Sequence, residues 1–218
     1  MEIASTAAVV PDKRVRRSRA ALMRATVDLV SERGTAAVSV SDIADAAGVS
    51  RPVLYQHFGD RETLLLETAL DLAERELLAG LTGIAHAEPR ERALAMARHF
   101  ADHRSFYRAM LTSASGFALN KALSGLISPA NRQLVQHAFG ETLDPTSTDD
   151  LATFLTGGGA AFVNTWVVEG ADPLDPEAFT DRLMRMLPLL RELPMTTAAL
   201  SRSTTASDQT TPDQGAHE

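Results

Sequence analysis

Arg51, Tyr55, Gln56 and His57 fall within one short segment, RPVLYQHF, which also carries Leu54 and Phe58 four residues apart. A helix through residues 51–58 puts Leu54 and Phe58 on one side and leaves Arg51, Pro52, Tyr55 and Gln56 mostly on the other. An Arg near the start of such a rod can present its guanidinium fork to guanine O6 and N7. Tyr55 and His57 can donate to phosphate oxygens, and the helix N-terminus adds backbone N–H groups for the same acceptors. A helix of that length spans about 12 Å, and the DNA major groove is about 12 Å wide.

A rod of this kind needs a partner to hold it. Residues 39–58, SVSDIADAAGVSRPVLYQHF, read as two short helices joined by a tight turn. Ser39 with Asp42 three positions on is a capping-box pattern. Val40, Ile43, Ala44 and Ala47 then share one helical face. Gly48 can close the first helix in the left-handed conformation. Val49 fills the corner, Ser50 is an N-cap for the second helix, and Pro52 sits in its first turn, where a missing N–H does no harm. This is a helix-turn-helix pattern. Two short helices about a Gly turn also occur in helical proteins with no DNA role, so the pattern alone leaves that alternative open.

The flanking charge bears on the choice. Lys13, Arg14, Arg16, Arg17 and Arg19 form a basic cluster before the motif. Through residue 61 the chain carries nine Lys and Arg against seven Asp and Glu, a net +2, while the remainder carries −9, within an overall −7. A positive front on an acidic chain suits one end meeting a polyanion. The alternative for the basic run is a solvated tail.

On these residues the chain resembles the TetR family of transcriptional regulators. The resemblance is carried by RRSRAALMRATVDLVSERG, VSVSDIADAAGVS and LYQHFGDRETLL, in that order, over residues 14–70. It implies an all-α fold: an N-terminal three-helix DNA-binding domain followed by a helical bundle that dimerises and binds a small-molecule inducer. Arg51, Pro52, Val53, Tyr55 and Gln56 fall where the family commonly reads or approaches its operator. Ser50, Tyr55, His57 and Arg61 fall where it touches the DNA backbone, and Val40 and Ser41 at a further contact region. The family usually has Lys where this chain has Arg61; Arg keeps the charge with a different fork geometry. Two heads on a two-fold axis would read a palindromic operator of double-stranded DNA. Repression is the commoner mode in the family.

Composition agrees with an all-α chain. Its 218 residues, 44% hydrophobic, suffice for one domain or two modest ones. Asn-Gly and Asp-Gly hairpin dipeptides are absent and alternating strand patterns are sparse. The absence of Cys excludes disulfides and thiol catalysis and suits a reducing compartment. The N-terminus lacks the basic-then-apolar pattern of a secretory signal, and no stretch reads as the roughly 20 apolar residues of a membrane span. The expectation is cytoplasmic, with no membrane partner and no cofactor.

Four segments are expected: an arm at 1–12, a reading head at 13–60, a helical body at 61–194 and a Ser/Thr-rich tail at 195–218. The first helix covers residues 15–33, with Leu22, Ala25, Leu29 and Val30 as its apolar stripe. Asp60 caps a fourth helix that carries Leu64, Leu65, Thr68 and Leu72 inward and fades near Gly80 or Gly83. In the body, helices are expected from Pro89, through SFYRAML after a break near His103, over 117–127 and 131–139 on either side of Pro129, over 150–168, and from Asp175–Pro176 to about residue 190.

Phe100, His103, Phe106, Tyr107, Met110, Phe117 and Trp166 are candidates for an inducer cavity, though each fits a plain core position as well. GGGAA at 157–161 lies in a helical pattern, where each Gly costs about 1 kcal/mol relative to Ala. Close approach of another backbone is one reason for it, and a kink is another. Gly157, Gly158 and Ala161, with Phe179, Leu183 and Met186 of the last helix, are therefore candidates for a homodimer interface. His99 and His103 stand one turn apart, but no HEXXH glutamate accompanies them and no third ligand can be identified, so no metal site is expected. GGG follows no strand and lacks GK[ST], which argues against a phosphate loop. A helical metal-dependent enzyme and an interaction module without DNA binding remain the alternatives.

Overall fold

A computed structural model describes residues 13–78 and 88–192. Those described residues are helical with no strand. Helix α1 (Lys13–Arg33) ends at Gly34, whose φ of 62° is left-handed. Helix α2 (Val40–Ala46) starts where Ser39 Oγ accepts from Asp42 N at 3.1 Å, the first half of the expected capping box. Gly48 takes φ 65° between α2 and α3 (Arg51–Phe58), so the turn needs a residue without Cβ strain. Ser50 occupies the N-cap position of α3, but only its carbonyl caps, accepting from Val53 and Leu54 N; its hydroxyl does not.

Asp60 Oδ1 accepts from Thr63 N at 2.7 Å and starts α4 (Arg61–Leu72). That bond holds the Asp60 carboxyl below its usual pKa. The chain continues from α4 into a π-helical stretch, Ala73–Leu78. The expected fading point near Gly80 or Gly83 lies outside the described residues, as do the expected arm and tail.

The body comprises α5 (Pro89–Asp102), α6 (Arg104–Leu111), α7 (Gly116–Phe139), a short 3-10 turn (Gly140–Thr142), α8 (Pro145–Glu169) and α9 (Pro176–Glu192). Two expectations are corrected here. Helix α7 runs unbroken through Pro129. Pro129 and Gly125, one turn earlier, are both exposed, so the carbonyl that loses its donor can take water. The opposite side is held by long packing on α8, with Val135 buried and Asn131 Nδ2 donating to Thr156 Oγ1 at 2.9 Å. Helix α8 begins at Pro145 rather than near Asp150, because Asp144 Oδ1 accepts from Thr146 and Ser147 N and Pro145 suits the first turn.

Length and composition correct a third expectation. Helix α8 contains an 18-residue window of mean hydropathy 1.3, long and apolar enough by that measure to cross a membrane. Its Ala152, Val163, Trp166 and Val167 are buried within the chain.

Residues through Asp181 form one compact unit, and Arg182 begins a second, of which only the end of α9 is described. The expected head–body boundary at residue 60 is not a break in packing. Helix α1 packs on α2, α3 and α4 and equally on α6, and one buried cluster runs from Leu22 and Leu54 through Leu72 to Phe106, Met110 and Trp166. Ser115 Oγ, at the start of α7, donates to Glu62 near the start of α4, and that bond is the main reason the Glu62 carboxyl sits below its ordinary pKa.

Arg104 closes the C-terminal end of α8. Its guanidinium donates to the carbonyls of Val167 (3.2 Å), Gly170 (2.6 Å) and Ala171 (3.1 Å) and pairs with Asp172 at 3.0 Å. These include orphan carbonyls of the helix end, and a cation there also complements the helix dipole. Arg104→Ala is expected to lower unfolding free energy by about 2–3 kcal/mol, the range for charged hydrogen bonds lost at a partly buried site. Urea denaturation followed by circular dichroism measures it; a change below about 0.5 kcal/mol would show that water replaces these bonds without loss.

Candidate nucleic-acid interface

Helix α3 is oriented by its two buried residues. Leu54 is fully buried and Phe58 nearly so, both in the cluster with Leu22, Val30 and Ile43. With that side inward, Arg51, Pro52, Tyr55 and Gln56 are exposed, Tyr55 at 51%. Val53 is half-buried. The face therefore offers a guanidinium, a phenol and an amide in less than two helical turns, on a helix held from behind.

Arg19 of α1 does much of the holding. Its guanidinium lies 4.5 Å from the Phe58 ring centroid, donates to His57 O at 3.4 Å and pairs with Glu67 of α4. One side chain thus joins α1, α3 and α4. His57 is half-buried and its Nε2 is 2.7 Å from Ser18 Oγ, so the imidazole offered above to phosphate is already hydrogen-bonded to α1. Neither Arg19 nor Ser18 stood out in the sequence as a support for α3. Their partners are 38 or more residues away, beyond any local periodicity.

The remaining candidates surround α3. Val40 and Ser41 are half-buried at the start of α2, and Ser50 is exposed. Arg61 is half-buried; its Nη1 donates to Val38 O at 3.4 Å and its other nitrogens pair with Glu62. It ties the start of α4 to the approach of α2. Arg16 and Arg17 are exposed on the first turns of α1. Arg33 pairs with Asp42 at 2.5 Å, which lowers the Asp42 pKa and fixes the end of α1 to the start of α2.

Comparison with known proteins decides the family. Residues 22–68 match the model of the tetR family of bacterial regulatory proteins, and residues 88–188 match that of a transcriptional regulator C-terminal region. The HTH-type transcriptional regulator AlkX of Mycobacterium tuberculosis is 32% identical over 181 residues, covering 74% of this chain and 73% of that one. The chain belongs to the TetR family.

Solved structures agree on the fold. A TetR-family regulator from Rhodococcus sp. superposes with TM-score 0.58 at 19% identity over 78% of this chain and 98% of its own. The fatty acid degradation regulator FadR from Bacillus halodurans does so with TM-score 0.57 at 17% identity, over 77% and 96%. The chain is accordingly a helix-turn-helix transcriptional regulator, and regulators of this family are not enzymes.

The body of this TetR-family chain corrects part of the candidate pocket. Phe106, Tyr107 and Met110 are fully buried, Phe100 is 5% exposed, and the tilted rings of Phe100 and Tyr107 lie 4.8 Å apart as close-packed core. Phe117 is 83% exposed on the outside of α7, because Leu119 and Leu123 supply that helix's inward face. Trp166 stacks on Phe179 at 4.2 Å. His103 is half-buried beside Glu76 at 2.6 Å. A separate polar hollow of about 510 Å³ lies between the end of α1 and α6, lined in part by Glu32, Arg33, Arg104, Arg108 and Asp172, and none of the seven candidates lines it.

The interface candidates divide in the same way. Gly157, Gly158 and Ala161 are exposed on α8 beside Phe154, which is 64% exposed. A Cβ added at Gly157, Gly158 or Gly159 would meet no heavy atom within 4 Å, so nothing in the described chain itself requires glycine there. Phe179, in contrast, is 1% exposed against Trp166 and Phe162 and has no surface left for a partner. Leu183 and Met186 are half-buried in the second unit.

If Arg19 holds α3 as described, Arg19→Lys keeps a charge near Glu67 but loses the planar fork over Phe58. The expected cost is about 1 kcal/mol, since the group is more than a third exposed. Chemical denaturation measures it. A stability equal to the parent's would remove Arg19 from the support of α3.

Proposed function

We propose that the chain acts as a homodimeric repressor that grips a palindromic operator with the exposed side of α3 from each protomer and lets go when a small molecule binds the body. The observation that carries this reading is the single exposed face of Arg51, Pro52, Tyr55 and Gln56 on a helix whose other face is buried. Arg51 reads a base edge in the major groove, and Tyr55 approaches bases or backbone. Arg61, Ser50, Val40, Ser41, Arg16 and Arg17 lie where phosphates pass. His57 serves chiefly through its bond to Ser18. The acidic remainder of the chain keeps the DNA at the basic end. A cytoplasmic location accords with this role.

Family regulators act as dimers, and the uncovered Gly157–Gly159 stretch of α8 is the surface proposed for the partner's close approach. Ala161 and Phe154 extend it. The continuity of α4 with the body supports ligand response: a small molecule that favours one placement of α4 shifts the spacing of the two heads, and operator affinity with it.

Selection of bound duplexes from a random pool at two salt concentrations tests the central reading. The expected winner is a palindrome with half-sites about one helical turn, about 34–36 Å, or more apart. Equal, weak binding of every duplex would overturn it. Arg51→Ala is expected to cost about 1–3 kcal/mol on that operator and to relax preference at one base position. Arg61→Ala should weaken all sequences alike and reduce the salt slope by about one phosphate contact. For the interface, Gly158→Leu should shift sedimentation towards monomer. A Cβ at Gly158 meets no heavy atom of the described chain within 4 Å, and Leu improves helix propensity, so a loss of dimer reports on the partner. An undiminished dimer would place the interface elsewhere.

A further inference from the structure

The pairing of His99 and His103 along α5 acquires a third member in the folded chain. Glu76, on the π-helical continuation of α4, lies with its carboxylate 2.6 Å from His103 Nε2 and 3.5 Å from His99 Nδ1. One candidate ligand atom from each of Glu76, His99 and His103 falls within 4.8 Å of the other two. We infer that these three residues form a binding site for a divalent transition-metal ion, of the zinc class, joining the end of the α4 continuation to α5. The expectation of no third ligand is thereby corrected: Glu76 is 23 positions before His99, and only the packing of the π-helical stretch on α5 brings it there.

The strongest support is an unmet hydrogen-bonding atom. The His99 side chain is 4% exposed, and its Nδ1 is buried without a hydrogen-bond partner, facing the Glu76 carboxylate. Its other nitrogen, Nε2, is 2.9 Å from the hydroxyl of the fully buried Tyr107. With Nε2–H donating to that oxygen, the Nδ1 lone pair is left pointing into the cluster. Metal-bound histidines are oriented in just this way by an outer partner on the second ring nitrogen, which makes Tyr107 a positioning residue.

The spacing suits a small ion. With bonds of about 2.0–2.2 Å, tetrahedral ligands sit about 3.4 Å apart. The His99–Glu76 separation already matches. The direct His103–Glu76 contact would open by less than about 1 Å, and both side chains are partly exposed and able to move. Two imidazoles and one carboxylate suit zinc and its neighbours and leave a further position for water. Local π-helical geometry often accompanies functional sites, and here it presents Glu76 to α5.

The test uses the full-length chain, stripped with a chelator and dialysed, then titrated with zinc against a chromogenic competitor and followed by thermal melting. One zinc per chain is expected, with a melting temperature that rises with zinc concentration. Glu76→Gln and His103→Gln should bind at least about ten-fold more weakly while melting near the parent without metal, and Tyr107→Phe should weaken binding by about 10-fold or more. His137→Gln, a change at an exposed histidine of α7, should bind as the parent does. Absence of saturable binding, or equal affinity in the parent and the Glu76 and His103 variants, would overturn the site. No DNA enters the titration, so its result is independent of the operator reading.

Discussion

The burial of Leu54 and Phe58 against α1 is the constraint on which the exposed face of α3 depends. An eight-residue helix has little stability of its own. Inserting these two side chains among Leu22, Val30 and Ile43 supplies it and at the same time fixes the rotation of α3 about its axis. With Leu54 and Phe58 inward, the helical period leaves Arg51, Pro52, Tyr55 and Gln56 no direction but outward. Folding therefore uses one face of these two turns and leaves the other exposed.

The surrounding polar contacts refine this arrangement. Arg19 spans α1, α3 and α4, Arg33 joins α1 to α2, and Arg61 reaches back from α4 to the carbonyl of Val38. These pairs are at least partly exposed and individually contribute little to stability. Their effect is geometric: each fixes one angle between elements that hydrophobic contact alone would leave loosely determined. Helix α4 then carries the constraint onward. Its inner residues Leu64, Leu65, Ala69 and Leu72 belong to the cluster that reaches α6 and α8, and Glu62 accepts from Ser115 of α7. A shift in the body has a packed route to the reading helix, as a ligand-responsive regulator requires.

Much of this was legible along the chain because its signals are local. The Ser39 cap, the left-handed Gly48, the Asp60 cap and the Leu54–Phe58 spacing each depend on neighbours within four residues, and each appears where the pattern placed it. Where local rules misled, packing had overruled them. Pro129 does not end α7, since its ring faces solvent and the long contact with α8 holds the other side. Phe117 looked like a pocket residue by type, yet the inward face of α7 belongs to Leu119 and Leu123. Phe179 fitted an interface stripe by spacing, yet it stacks on Trp166 inside its own chain.

Residue order alone thus determined the all-helical class, the helix-turn-helix and the side of α3 that faces outward, because periodicity and capping act between residues a turn apart. Tertiary structure alone decided which aromatic residues close the core, which arginine supports α3 and how Glu76 comes to face His99 and His103. The Arg19 and Glu76 pairings join residues 23 to 48 positions apart, and no local pattern encodes a contact that exists only once helices have packed.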